Sequence, residues 1–445
     1  MKQEECIFAL ATPWGESAIA VIRLSGKNTF AKLSKIFEGR KNLNSYKSHT
    51  INFGTITDKI YEIDKVLIAV YKAPNSYTGE DSVEIFCHGG LAIIQRILNL
   101  LSNSGFRSAN PGEFTQRAFL NGKMDLTRAE AVNEIIRSKT DKARSLALNR
   151  LSGIIKDRID KIKNRILQIS ASIEVHLDYP DEELEDNLIN PDYVDNIINE
   201  LDKLNKTYRT GRIFQEGISI AIAGKTNAGK STLFNLLLKE DRAIVSDIHG
   251  TTRDYLEGLI AIRGIPIRLF DTAGLRKAED NIEKQGIKRT EEIIANAALV
   301  IFVLDATDKP KELELPDKYK ENSNVITVIN KIDIADCSYP DNFICISAKT
   351  GEGLEKLNEE IYMRIMDTGS VESGEPVIDS LRQKNLIEKC CRSITNYKNG
   401  RKKNMPLDVL AVDIKDALDA LGEITGEITT MDILDTIFNN FCVGK

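Results

Sequence analysis

The segment GKTNAGKS, residues 224–231, constrains the fold of this chain more than any other stretch. It matches the phosphate-binding pattern GxxxxGK[ST], and it lies between the apolar run ISIAIA and the helical run STLFNLLL. A strand, a glycine-rich loop and a helix in this order let backbone amides and the helix N-terminus surround phosphate groups. Lys230 is then expected to reach phosphate oxygens, and Ser231 to ligate Mg²⁺. The motif predicts a P-loop domain with a mostly parallel, doubly wound sheet.

Four further motifs follow in the order of a GTP-binding domain. They are GTTRD (250–254), DTAG (271–274), NKID (330–333) and SAK (347–349). In this order Asp271 is expected to hold Mg²⁺, Thr252 to complete its ligand shell, and Gly274 to meet the γ-phosphate. The carboxylate of Asp333 can accept hydrogen bonds from two N–H groups of guanine that adenine does not offer, so it selects GTP.

These motifs and the segment SDIHG before GTTRD supply the candidate GTP-binding residues. They are Asn227, Ala228, Gly229, Lys230, Ser231, Thr232, Ser246, Asp247, Ile248, His249, Gly250, Thr251, Thr252, Asp271, Thr272, Ala273, Gly274, Asn330, Lys331, Asp333, Ser347, Ala348 and Lys349. Lys230 and Gly274 are also candidate catalytic residues, because both are expected at the reacting phosphate.

The residue after DTAG raises a question about hydrolysis. In Ras-like GTPases this position holds a Gln that orients the attacking water. Here it is Leu275, which has no donor or acceptor. Charged residues follow it, and their spacing selects none of them for the role: Arg276, Lys277, Glu279, Asp280 and Glu283.

Periodicity divides the chain into four regions. Its 445 residues are too many for one compact core. Residues 1–120 carry the short strand-like runs AIAVIRLSG, KVLIAVYKA and SVEIFC and are expected to form an α+β domain. Residues 121–215 and 371–445 have helical periodicity, and an apolar stripe beginning at Leu151 predicts one long helix. Residues 216–370 alternate helices with the buried-strand runs ISIAIAG, IPIRLFD, ALVIFVLDA, NVITVIN and FICISA. We therefore expect a GTPase domain inserted into an all-helical domain built from two chain segments.

Composition indicates the class of protein and its cellular compartment. No apolar run approaches the ~20 residues that a membrane helix needs, and the N-terminus does not resemble a signal peptide. The seven scattered cysteines favour a reducing cytoplasm and argue against a structural zinc site. The net charge of −6 does not indicate nucleic-acid binding. One basic cluster, Lys398 with residues 401–403, is more typical of a solvated loop than of an RNA-binding face.

Segments outside the nucleotide motifs resemble the MnmE family, also called TrmE, of tRNA-modification GTPases. They are NSYTGEDSVEIFCHGG (75–90), NPGEFTQRAFLNGKMDL (110–126) and LGEITGEITTMDILDTIFNNFCVGK (421–445). Many GTPases share the nucleotide motifs, so these flanking segments carry the resemblance. It extends over the whole chain.

The resemblance implies a potassium-dependent mechanism of hydrolysis. Two G domains pair face to face, and a K⁺ ion at the interface offsets charge that develops on the phosphates. The K⁺ ligands would be Asn227, Ser246, Ile248 and Thr251. Glu283 would be the catalytic acid that orients the attacking water. Hydrolysis then needs no Gln at position 275, and Leu275 is compatible with it.

The resemblance also implies that residues 1–120 form a homodimer and bind a tetrahydrofolate derivative, the 5,10-methylene or 5-formyl form. Arg23, Glu84, Lys123 and Lys445 match the folate-binding positions. Cys442 belongs to the C-terminal motif FCVGK, which the family is expected to bring to the folate. Phe441 and Val443 in that motif are expected to dock against the protein.

The implied function is that of a GTPase with tRNA as substrate and an FAD-dependent MnmG-type protein as partner. The pair would add a carboxymethylaminomethyl or aminomethyl group to carbon 5 of the wobble uridine, position 34. One alternative is a ribosome-assembly GTPase that acts as an RNA-binding switch. The nucleotide motifs alone do not exclude it, but the N-terminal segments and FCVGK count against it. A second alternative is a folate-dependent transferase with a GTP-sensing domain, and the intact set of hydrolytic residues argues against it.

Overall fold

The computed structural model describes residues 5–178, 191–240, 257–272, 291–308, 315–316, 319, 324–335, 343–366 and 375–445. The chain divides into two compact units. Unit 1 comprises Met1–Asn133, Ile159–Lys163 and Leu418–Lys445, and unit 2 comprises Glu134–Arg158 and Asn164–Ala417. Among the described residues, no helix is long and apolar enough to cross a bilayer.

A seven-stranded sheet organises unit 1. Its strands are β1 Ile7–Leu10, β2 Ser17–Ser25, β3 Phe37–Gly39, β4 Thr50–Thr57, β5 Glu62–Tyr71, β6 Ser82–Gly89 and β7 Arg107–Ser108, in the order β3-β4-β5-β6-β2-β1-β7. All neighbours are antiparallel except β1 and β7. The predicted runs AIAVIRLSG, KVLIAVYKA and SVEIFC correspond to β2, β5 and β6, so the α+β prediction is confirmed.

Helices α1 Thr29–Leu33 and α2 Leu91–Asn103 cover one face of this sheet. Helix α3 Glu113–Leu120 packs through Phe114 against Ile7 and Ala9 on the opposite face of β1. Ile94, Ile97 and Leu101 of α2 recur at helical spacing and are buried. Successive residues of a strand point to opposite faces. On the other face, Phe53 of β4 and Leu67 of β5 pair in register and are exposed.

In the described parts of the two segments with helical periodicity there are seven more helices. They are α4 Leu126–Arg137, α5 Asp141–Ser152, α6 Ile154–Asp178, α7 Pro191–Glu216, α10 Leu381–Lys402, α11 Leu407–Thr425 and α12 Met431–Phe438. In unit 2, α7 packs against α10, and Asn205 donates to Glu388 at 3.3 Å. Helices from before and after the P-loop region thus share one bundle, as expected.

Two helical details differ from the sequence prediction. The apolar stripe beginning at Leu151 predicted one long helix, but Gly153 has φ +102° and separates α5 from α6. A residue in this left-handed conformation ends a helix, and glycine adopts it without a steric cost. Lys398 and Arg401 lie on α10 rather than in a loop, near its C-terminus, where cations are favourable.

The second sheet lies in unit 2 and contains the P-loop. Its strands are β8 Ile218–Gly224, β9 Glu257–Ile262, β10 Ile265–Asp271, β11 Leu299–Asp305, β12 Val325–Asn330 and β13 Ile344–Ile346, in the order β13-β12-β11-β8-β10-β9. Every pair is parallel except the β9–β10 hairpin. The helices α8 Lys230–Glu240 and α9 Leu354–Ile365 pack on it. The prediction of a doubly wound domain is confirmed.

Candidate functional site

Close backbone approaches shape the loop between β8 and α8. Gly224 has φ +144°, and a Cβ there would lie 2.3 Å from the carbonyl oxygen of Val303. Gly229 has φ +92°, and its Cβ would lie 2.1 Å from Nδ2 of Asn330. Asn227 also has a positive φ, +65°. Only glycine suits the first two positions, because they combine left-handed backbone with no space for a side chain.

Lys230 begins α8 and folds back over this loop. Its Nζ donates to the carbonyl oxygens of Gly224 at 3.0 Å and Lys225 at 2.6 Å, and the residue is 7% exposed. The ammonium group therefore lies at the concave side of a loop that precedes a helix N-terminus. Both features favour an anion.

Two oxygen-bearing side chains meet beside the P-loop. The Ser231 hydroxyl donates to Oδ2 of Asp271 at 2.7 Å. Asp271 ends β10, which is parallel to β8, and Thr272 donates to the carbonyl oxygen of Ile222 at 2.7 Å. A hydroxyl and a carboxylate are the oxygen ligands that Mg²⁺ prefers.

Asn330 ties three loops together at the end of β12. It is 2% exposed, and its Nδ2 donates to the Ala228 carbonyl oxygen at 2.9 Å. Its Oδ1 accepts a hydrogen bond from the Ala348 backbone amide at 2.8 Å. The P-loop, NKID and SAK are thus connected through one buried amide.

The side chain of Asp333 is oriented by its neighbour in SAK. The Ser347 hydroxyl donates to Oδ1 of Asp333 at 2.7 Å and accepts from the Thr350 backbone amide at 3.2 Å. Asp333 and Lys349 are exposed, whereas Ser347 is buried. A fixed but accessible carboxylate is suited to accepting hydrogen bonds from a base.

Asp305 ends β11 at the edge of this site, and it lies in none of the nucleotide motifs. Its Oδ2 lies 2.5 Å from Nζ of Lys331, the second residue of NKID. Burial opposes ionisation of Asp305, but hydrogen bonds from Lys331 and from Thr307 outweigh it and hold the pKa of this carboxyl below its usual value. The apolar run before Asp305 indicated that a strand ends here. Nothing in the sequence indicated that Asp305 pairs with Lys331.

Some candidates fall outside the described residues: Ser246, Asp247, Ile248, His249, Gly250, Thr251, Thr252, Ala273, Gly274 and Glu283. Of the described K⁺ and Mg²⁺ candidates, Asn227 lies in the P-loop and Ser231 beside it, in the first turn of α8. Thr232 is exposed in the same turn.

A second cluster lies in unit 1, where Arg23 of β2 faces Glu84 of β6 in register. Nε and Nη2 of Arg23 donate to Oε1 of Glu84 at 3.0 and 2.8 Å. The guanidinium carbon lies 5.7 Å from the ring centre of Tyr77 and 5.8 Å from that of Phe114. Charge pairing and aromatic faces hold this cation in a fixed position.

The C-terminal motif packs beside the Arg23 pair. Nη1 of Arg23 donates to the Gly444 carbonyl oxygen at 3.0 Å, and Phe441 is buried with Phe438 and Leu126. Burial lowers the pKa of Lys445, and nearby Arg23 lowers it further, while Glu84 acts in the opposite direction. The expectation that Phe441 docks is confirmed. The expectation for Val443 is wrong, since that side chain is 53% exposed.

The remaining unit 1 candidates are Lys123 and Cys442. Lys123 donates through Nζ to the Pro74 carbonyl oxygen at 2.9 Å, and its stem packs near Gly79. The Cys442 side chain is exposed, whereas its carbonyl oxygen accepts from the Gly112 amide at 3.4 Å. Tyr77 and Phe114 were not candidates, although both lie in the quoted segments 75–90 and 110–126.

Comparisons with known proteins find family profiles and full-length relatives that match this chain. The family profile "GTP-binding protein TrmE N-terminus" matches residues 6–123, and "MnmE helical domain" matches residues 126–442. The tRNA modification GTPase MnmE of Carboxydothermus hydrogenoformans is 41% identical over 99% of this chain and 100% of its own length. The Aquifex aeolicus protein of the same name is 40% identical, with the same coverage. Among solved structures, the G domain of the T. maritima FeoB iron transporter is 30% identical over 33% of this chain and 98% of that chain, with a TM-score of 0.26.

Proposed function

Because the chain belongs to the MnmE family of tRNA modification GTPases, we propose that it couples GTP hydrolysis to modification of the wobble uridine in certain tRNAs. The observation that carries the GTPase part is the meeting of the P-loop, Asp271, Asn330 and the SAK loop at the carboxyl edge of one parallel sheet. Ligands of open α/β sheets bind at that edge.

The proposed guanine contact is Asp333. Its carboxylate would accept two hydrogen bonds from guanine, whereas an amide in its place would offer a donor to the carbonyl group that xanthine carries instead. We expect Asp333→Asn to bind XDP more tightly than GDP, while the wild type prefers GDP by several orders of magnitude. An unchanged preference in the variant would exclude Asp333 as the base-reading residue.

The Ser231–Asp271 pair supports a Mg²⁺ site, with Thr252 as a further ligand. Bound Mg²⁺ would neutralise charge on the phosphate oxygens, and these side chains would orient it. Ser231→Ala is expected to raise the Mg²⁺ concentration needed for half-maximal GTPase activity by tenfold or more. Ser219→Ala, which removes a hydroxyl at the opposite end of β8, is the matched control. Equal Mg²⁺ dependence of both variants and the wild type would refute the assignment.

Potassium dependence rests on the family relation and on Asn227 in the P-loop. K⁺ held there with Ser246, Ile248 and Thr251 would offset negative charge, and Glu283 would orient the water. GTP turnover in KCl is expected to exceed that in NaCl by at least tenfold. Equal turnover would remove the potassium mechanism.

Glu283 is tested separately from the ion. Replacement of Glu283 by Ala should abolish hydrolysis and leave GTP affinity nearly unchanged, because the proposed role is to orient water and not to bind the nucleotide. Glu279→Ala, four residues earlier in the same segment, is a matched control. If the Glu283 variant turns over GTP normally, the water-orienting role is excluded.

The folate proposal is supported by the chemistry around Arg23. A reduced folate has a carboxylate tail that suits Arg23 and Lys445, and a pterin edge that suits the Glu84 carboxylate. We expect 5-formyltetrahydrofolate to bind the full-length chain in calorimetry, and Arg23→Ala to weaken binding by more than tenfold. Arg96→Ala is the control, because Arg96 forms an exposed ion pair with Asp58 in the same unit. Equal effects of the two variants would refute the site.

Homodimerisation through residues 1–120 is supported by the exposed sheet face. Ile51, Phe53 and Leu67 are 65%, 56% and 45% exposed, and they are neighbours on β4 and β5. A contiguous apolar face of this kind is typical of an interaction site, and we assign it to a second copy of this chain. Phe53→Asp should give a monomer in sedimentation, whereas Ile60→Asp in the β4–β5 turn should not. A dimeric Phe53 variant would exclude this face.

The remaining parts of the proposal concern the whole reaction. We assign the protein to the cytoplasm, with an FAD-dependent MnmG-type partner and glycine or ammonium as amine donor. In a strain that lacks the gene, mass spectrometry of tRNA should show loss of the carboxymethylaminomethyl or aminomethyl group at position 34. Unaltered wobble nucleosides would refute this function, and a ribosome-assembly defect in their place would favour an RNA-binding switch.

A further inference from the structure

The structure assigns Asp305 as a positioning residue of the guanine site. We propose that its carboxylate holds Lys331 in place beside Asp333 and thereby slows the release of guanine nucleotides. The inference rests on the proposed role of Asp333 and adds a residue that lies in none of the nucleotide motifs.

The fold brings Asp305 to the nucleotide edge. β11 and β12 are parallel, and Asp305 and Asn330 are register partners at their carboxyl ends. The Ala306 amide donates to the Asn330 carbonyl oxygen at 2.9 Å, so the two strand ends stay paired one step beyond the sheet. Asp305 therefore lies next to the first residue of NKID, although 25 positions separate them in sequence.

The two carboxylate oxygens of Asp305 have different partners. Oδ1 accepts from the Thr307 backbone amide at 3.0 Å and from its hydroxyl at 2.7 Å. Oδ2 accepts from Nζ of Lys331 at 2.5 Å. The side chain is 12% exposed, so solvent screens this pair less than a surface ion pair. One oxygen fixes the carboxylate, and the other is left to hold the lysine.

Lys331 needs such an anchor. Its φ of +72° is rare for a residue with a side chain, and its long flexible stem loses much freedom when it is ordered. Asn330 on one side is held by the Ala228 and Ala348 contacts, and Asp333 on the other by Ser347. A base that donates to Asp333 lies within reach of the Lys331 stem, whose methylene groups can cover an apolar ring face. Because Asp305 already holds the ammonium group, the Lys331 side chain loses less conformational entropy when a nucleotide binds.

The difference between the two oxygens defines the test. Asp305→Asn retains an Oδ1 for Thr307 but removes the charge and acceptor that face Lys331. Release of a fluorescent GDP analogue from the full-length chain is expected to be about tenfold faster, equivalent to about 1.4 kcal/mol. Glu360→Gln is the control, since it removes one carboxylate from another ion pair in unit 2, with Arg364. Its release rate should match the wild type.

A double variant separates positioning from loop stability. In a Lys331→Met background, Asp305→Asn should change release by less than twofold, because the proposed effect acts through the ammonium group. A tenfold effect that persists in that background would mean that Asp305 only stabilises the loop at Thr307. Unchanged or slower release in the single variant would mean that nucleotide binding breaks the pair. Either result overturns the inference.

The same measurements distinguish this inference from the guanine site itself. If Asp333→Asn shifts preference to XDP while Asp305→Asn releases GDP at the wild-type rate, only the role of Asp305 is wrong. If the wild type does not prefer GDP over XDP, both assignments are wrong.

Discussion

Asn330→Ala is expected to weaken nucleotide binding strongly, because this side chain connects three loops of the nucleotide site. The amide is buried and makes one hydrogen bond to the P-loop carbonyl of Ala228 and one to the Ala348 amide. A buried group left without its partner costs about 1–3 kcal/mol. Loss of both bonds therefore costs about 2–6 kcal/mol in the arrangement that the nucleotide needs. The lower bound corresponds to about a thirtyfold loss of affinity.

A double-mutant cycle between Gly229 and Asn330 tests whether the Asn330 side chain excludes a Cβ at position 229. In the wild type, Gly229→Ala places a Cβ 2.1 Å from Nδ2 of Asn330 and also requires alanine at φ +92°. The left-handed conformation alone costs about 1–2 kcal/mol. In an Asn330→Ala background the clash is absent and only that backbone cost remains. The two changes should therefore be less than additive.

The assay is equilibrium titration of the full-length chain with a fluorescent GDP analogue. Thermal unfolding of the nucleotide-free chain is followed in parallel. Ser219→Ala serves as control, since its hydroxyl donates at 3.4 Å at the opposite end of β8. Affinity of Asn330→Ala within twofold of the wild type would refute the reasoning. Equal costs of Gly229→Ala in both backgrounds would refute the steric part.

Three other results are expected in thermal unfolding and labelling. Burial opposes ionisation of Glu113, but hydrogen bonds from Arg107 and other donors outweigh it and hold the pKa of this carboxyl below its usual 4.5. Its stabilisation is therefore present above that pH and is lost as the pH falls through the folded pKa, so Glu113→Gln should flatten the fall in Tm below pH 4.5. Burial raises the pKa of Cys390 to about 12, so iodoacetamide at pH 8 should modify exposed Cys442 and spare Cys390 until the chain is unfolded in urea. Arg150, 2% exposed, pairs with two carboxylates at 2.5 and 2.7 Å, so Arg150→Met should destabilise unit 2 by about 3–5 kcal/mol in urea unfolding. The reasoning on Glu113 would be contradicted by an equal fall in Tm for the wild type and the Gln variant. Equal labelling of the two cysteines in the folded chain would contradict the reasoning on Cys390, and an unchanged urea midpoint would contradict that on Arg150.

The sequence was sufficient wherever one local pattern determined the structure. Long apolar runs predicted β8, β10, β11 and β12, because a strand buried on both faces needs such a run. The run EGLIAI was not predicted as β9, because a short edge strand with alternating burial gives a weak signal. The P-loop motif correctly indicated the loop before α8, because its glycines occupy positions where a Cβ has no space.

The sequence did not predict interactions between residues that lie far apart along the chain. The Asp305–Lys331 pair depends on the register of β11 against β12, and a single sequence does not encode register in any local pattern. The hydrogen bond between Arg23 and Gly444 joins residues near opposite ends of the chain. From composition alone Arg23 would be a solvated surface residue. Its two ring contacts become visible only when β2, the 75–90 segment and α3 are placed together.

The structure also separates packing from chemistry in FCVGK. Phe441 fills a core, while Gly444 has φ +96° and would place a Cβ 2.8 Å from the Leu10 carbonyl oxygen. Substitution at either position is therefore expected to disturb packing, and a loss of tRNA modification there would not identify a reagent. The Cys442 residue is different, because its side chain is exposed while its backbone carbonyl oxygen accepts hydrogen bonds within unit 1. Cys442→Ser preserves size and those backbone hydrogen bonds, so a loss of modification in that variant with unchanged thermal stability would point to thiol chemistry.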